Sequence, residues 1–105
     1  MFFRKKKSPE IALLPEGFRV NDTVVDWSQI ASIKAFKLDL ITSDLICFAV
    51  EVDGKDHYMQ LSEEWLGFKA LAEALESRFA FPEGWWNSVA FPAFKTNEVT
   101  LYRRT

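Results

Sequence analysis

The sequence predicts an α+β fold, an antiparallel β-sheet of about five to seven strands packed against one long amphipathic helix, with a further C-terminal strand. Three observations carry that prediction. Residues 45–52 and 55–61 each alternate with a period of two and are joined by Asp53-Gly54, the pattern of a β-hairpin. Residues 62–79 instead place apolar side chains three and four apart, the spacing of a helix with one buried face. Shorter period-two segments bounded by Asn, Asp, Gly and Ser precede and follow this unit.

Taken in order, residues 1–15 read as a partly flexible basic N-terminal segment that opens Phe2-Phe3-Arg4-Lys5-Lys6-Lys7. Residues 18–20 and 23–25 form a short hairpin turning through Asn21-Asp22, two residue types that tolerate tight turns. Residues 26–30 read as a single helical turn capped by Asp26 or Ser28. The next strand, residues 33–41, puts Phe36, Leu38 and Leu40 on one face and Ile33, Ala35, Lys37, Asp39 and Ile41 on the other.

In the central hairpin Ile46, Phe48, Val50 and Val52 share a face. A two-residue turn at Asp53-Gly54 sets Val52 opposite Lys55, Val50 opposite His57, Phe48 opposite Met59 and Ile46 opposite Leu61. The helix is expected to start at Ser62 as N-cap, with Glu63 and Glu64 against the positive end of its dipole and Leu61 stapled to Leu66. Trp65, Phe68, Leu71, Ala72, Leu75 and Phe79 form its apolar stripe, and Pro82 stops it. A prolyl- and aromatic-rich connection follows, with a helical turn at residues 84–89, and residues 98–104 form the last strand.

The 105-residue chain is expected to be one domain, residues 1–105, because 49% hydrophobic and 15% aromatic residues suffice for a core without disulfides or metals. Its one cysteine, Cys47, excludes an intrachain disulfide. No apolar run approaches the roughly 20 residues of a membrane-spanning helix, and the N-terminus lacks the features of a secretory signal, so a cytoplasmic location is expected. The net charge is −2, yet residues 8–102 hold seven basic and fifteen acidic residues, a net of −8. An acidic body disfavours nucleic acid and suits a basic protein partner.

No catalytic, cofactor-binding or metal site is assigned. His57 is the sole histidine and lacks converging ligands, Cys47 lies between Ile46 and Phe48 with no activating base, and no glycine loop cradles a phosphate. Trp85-Trp86 stands out instead. Adjacent residues point in opposite directions on a strand and about 100° apart on a helix, so both rings do not enter one core. One of them joins Phe91 or Phe94 in an exposed aromatic patch, and Trp85, Trp86, Phe91 and Phe94 are the candidate interface. Phe2, Phe3, Arg4, Lys5, Lys6 and Lys7 are the candidate contact with an anionic membrane surface.

From Phe18 to Phe79, the order of short antiparallel strands, Val25-Asp26-Trp27-Ser28-Gln29-Ile30 leading into a strand, then a hairpin and an amphipathic helix, resembles small bacterial pleckstrin-homology-like proteins. That resemblance implies a curved sheet capped by a helix and a role in binding. The family has more strands before its terminal helix, and here a strand follows it. The reading is a small non-enzymatic protein-interaction module, with an unidentified protein or a second copy of itself as partner. An immunity-type protein that neutralises a toxin is one form of it. The alternative is a peripheral membrane protein held by its basic, aromatic N-terminus.

Overall fold

The computed structural model describes residues 8–39, 44–91 and 97–104. The fold is α+β with antiparallel sheets, but the strands divide between two sheets. One has the order β1-β2-β3, from Ile11–Leu14, Gly17–Val20 and Thr23–Asp26. The other has the order β6-β5-β4-β7, from Met59–Ser62, Asp44–Val52, Ile30–Asp39 and Glu98–Arg103. The expected single curved sheet is corrected, and the break has a local cause. Asp26 Oδ1 accepts from the Ser28 amide at 2.8 Å while Gln29 Oε1 accepts from the Asp26 amide at 2.9 Å, a reciprocal cap on the 3-10 turn Trp27–Gln29. That turn redirects the chain between β3 and β4. The C-terminal strand β7 then pairs with β4, taking the edge that β3 would need.

Two expectations in the central hairpin also change. Gly54, at φ 78°, supports a turn closed by the Lys55 amide and the Val52 carbonyl, but residues 55–58 leave the ladder and β6 begins at Met59. Val50 therefore faces Met59 and Phe48 faces Leu61, two residues from the expected register. A slip of two keeps every side chain on its face, so the buried set survives. The hairpin tip is drawn elsewhere: the Asp53 amide donates to the Gln29 carbonyl at 2.8 Å, and the Asp53 carboxylate binds Arg104.

The helix expected over residues 62–79 is shorter, α1 (Phe68–Phe79), and the helical turn expected at residues 84–89 forms as α2 (Trp85–Ala90). Ser62 ends β6 opposite Cys47, and its hydroxyl accepts from the Glu64 amide in a turn instead of capping the helix. Gly67 marks the true start: at φ +91° it has left helical geometry, and a Cβ there would sit 2.0 Å from the Ile11 carbonyl oxygen. Leu66 forms no staple; it is exposed and bridges Glu10 in parallel, which ties α1 to β1. At the other end the chain leaves α1 through Ala80 in the left-handed region, two residues ahead of Pro82.

The core runs continuously between the sheets and the helices. Phe48 of β5 is one hub, stacked on Phe68 at 4.8 Å and touching Phe81 and Trp85 at 6.2 and 5.7 Å between ring centres. Trp27 is the other, against Phe18 and Phe79, with the Arg78 guanidinium 4.9 Å above its ring. In β7 a bulge between its pairings to Ile33 and Lys34 lets both Leu101 and Tyr102 pack on the core.

Candidate functional site

Site geometry begins with the divergence of two adjacent tryptophans. At the first position of α2, Trp85 is 6% exposed and packs on Phe48 and Phe81, whereas Trp86, one position on, is 40% exposed. The two rings meet edge to face at 5.4 Å. Phe91, the C-cap of α2, is 66% exposed. Of the four candidate interface residues, Trp86 and Phe91 thus face outward, Trp85 belongs to the core, and Phe94 lies outside the described residues.

Trp86 borders a cleft of about 520 Å³ between α1 and α2. Its apolar wall is Phe68, Ala72 and Trp85, and its charged rim is Glu63, Lys69, Glu73 and Glu76. Glu63 is held from below: its amide donates to the Ile46 carbonyl at 3.0 Å and its Oε1 accepts from the Ile46 amide at 2.7 Å. Lys69, Glu73 and Glu76 are on the outward face of α1, as its apolar stripe requires.

What fixes α2 is a polar clamp. Lys37 is 1% exposed on the β4 face that also carries Ile33 and Ala35, and its Nζ donates to the Ala90 carbonyl at 3.0 Å and lies 3.6 Å from Asp44 Oδ2. Asn97 Nδ2 donates to the Val89 and Phe91 carbonyls at 3.2 and 2.8 Å. A buried cation and an amide thus satisfy carbonyls at the negative end of a helix only six residues long. The clamp was not anticipated. Its one sequence signal is a lysine in phase with the buried positions of a strand.

The remaining candidates are dispersed. Cys47 is fully buried, and burial, with the nearby Glu63 and Glu64 charges adding to it, pushes its thiol up against the lowering effect of contacts with Ser62 and Gln60. His57 is exposed in the loop after β5. It shares an open cleft of about 530 Å³ with Asp56, Lys55 and Met59. On the strand before it, Glu51 accepts from the Ser32 hydroxyl at 2.8 Å, and Lys34 Nζ lies 5.5 Å from the ring centre of the adjacent Tyr58. Phe2, Phe3, Arg4, Lys5, Lys6 and Lys7 lie outside the described residues. Arg104 is bound by Asp53 at 2.6 and 3.0 Å, a two-pronged pair near the chain's end. Among the described residues no helix is long and apolar enough to cross a membrane. Comparison with family models, curated proteins and solved structures found no match.

Proposed function

We propose that the chain is a small non-enzymatic protein-interaction module whose contact surface is Trp86, Phe91 and the cleft between α1 and α2. The observation that carries this reading is the exposure of Trp86 and Phe91, 40% and 66%, at the two ends of one clamped helix. Large aromatics held rigidly at a surface lose little conformational freedom on binding and dominate the energetics of protein interfaces. A toxin-neutralising immunity protein and a self-associating protein are two forms of this reading. The pleckstrin-homology-like resemblance, with its implied binding role, is compatible with both.

The test is capture of a partner from the source organism's lysate by the intact chain and by Trp86→Ala, with sedimentation of the purified chain beside it. Trp85 is left intact because it is part of the core. A stoichiometric partner, or a dimer, that is lost in a natively folded Trp86→Ala variant supports the module. A chain that is monomeric and captures nothing, or whose capture is indifferent to Trp86, overturns it.

A further inference from the structure

We infer that the cleft between α1 and α2 receives an arginine or lysine side chain, flanked by an apolar residue, from the partner protein; this rests on the chain being an interaction module. Among the described residues the charge on the rim is uncompensated. Glu63, Glu73 and Glu76 contribute three carboxylates against the single ammonium of Lys69, and none of the four is in an ion pair among the described residues. Lys69 and Glu73 are one helical turn apart, but with the lysine on the N-terminal side, the less favourable order for such a pair.

These carboxylates do not define a metal site, since the described residues contain no group of three or more His, Cys, Asp or Glu side chains able to hold an ion. Spread along a cleft, they suit a cation carried on an organic chain. The wall completes the match. The aliphatic stem of an arginine or lysine lies well against Phe68 and Ala72, and the exposed ring of Trp86 offers a face to its charged end. Arginine fits best, because its planar guanidinium stacks on an indole while donating to more than one carboxylate. The volume, about 520 Å³, is within the range of about 300–1,000 Å³ that accommodates compact ligands, enough for one basic side chain and its neighbour.

The test titrates the intact chain with acetyl-Leu-Arg-Leu-Arg-amide and with its glutamine counterpart, acetyl-Leu-Gln-Leu-Gln-amide, following backbone amide resonances. The arginine peptide is expected to bind in a salt-sensitive manner and to shift Glu63, residues 68–76 and residues 84–86. The double substitution Glu73→Gln/Glu76→Gln, at exposed helix positions, should weaken it by about tenfold or more, and Lys69→Gln should tighten it. Glu83→Gln, outside the cleft, should leave affinity unchanged. Equal binding of the two peptides, shifts confined to another surface, no binding of the arginine peptide, or indifference to Glu73→Gln/Glu76→Gln overturns the inference. If Trp86→Ala abolishes partner capture while Glu73→Gln/Glu76→Gln does not, the cationic ligand is wrong and the interaction module stands; if neither alters capture, both fall.

Discussion

Individual ion pairs in this chain act over different distances from the core, and their consequences differ accordingly. Asp53 and Arg104 are both about half exposed, yet their paired hydrogen bonds join the hairpin tip to the last described residue. Hydrogen bonding to the Arg104 guanidinium, aided by its charge against a smaller opposing effect of desolvation, holds the Asp53 carboxyl below its ordinary value. The folded chain therefore releases this proton more readily than the unfolded chain. The stabilisation is present above the ordinary aspartate pKa and is lost as the pH falls through the lowered, folded value. Asp26 behaves in the same sense through its hydrogen bonds from Ser28. Asp53→Asn is expected to lower the melting temperature at neutral pH and to flatten its decline in acid, read by thermal melts across the acid range; high salt should shrink the difference, as it does for exposed charges.

At the scale of the element, the six residues of α2 send two adjacent tryptophans into different surroundings. Its first residue enters the aromatic cluster around Phe48 and its second leaves it. Trp85→Ala is expected to cost about 3–5 kcal/mol through lost burial and the cavity left behind. Trp86→Ala should cost about 1 kcal/mol or less, since it removes a partly exposed ring with one edge contact. Urea denaturation of the two variants checks this. Similar losses for both would mean that Trp86 is part of the core and not of a recognition surface. Helix α1 separates its roles by face: Phe68, Leu71 and Leu75 are buried, while Lys69, Glu73 and Glu76 line the cleft.

Across the whole molecule, Lys37 links the four-stranded sheet to the end of α2 and hence to the candidate surface. Removing one member of a buried ion pair typically costs about 3–5 kcal/mol, because the remaining groups lose a partner without regaining water. Lys37→Met, which nearly preserves shape, is expected to destabilise by that amount, to shift the resonances of Trp86 and Phe91, and to be partly rescued by adding Asp44→Asn. A purely local effect, with α2 unchanged, would show that Ala90 is held by other means. The closing strand β7 acts at the same scale. It supplies an edge to β4 and a core side chain in Leu101, and it carries the chain to Arg104, the residue just beyond it that secures the hairpin tip.

The amino-acid sequence by itself determined what depends on near neighbours. The α+β class, the buried faces of the central hairpin, the Asn21-Asp22 turn, a capped helical turn at residues 26–30 and the divergence of Trp85 from Trp86 all follow from side-chain period and local stereochemistry, while the choice of Asp26 over Ser28 as the cap came with the structure. Which strand joins which is different, since a free edge accepts any suitably apolar partner and nothing in a strand's alternation names it. Only the tertiary structure decided that β7 pairs with β4 and splits the strands into two sheets, that Gly67 against Ile11 delays the helix, and that a strand lysine reaches the end of α2. The cleft belongs to that second class. Glu63 follows a strand, Glu73 and Glu76 lie on one helix and Trp86 on another, so their shared surface exists only once the two helices pack.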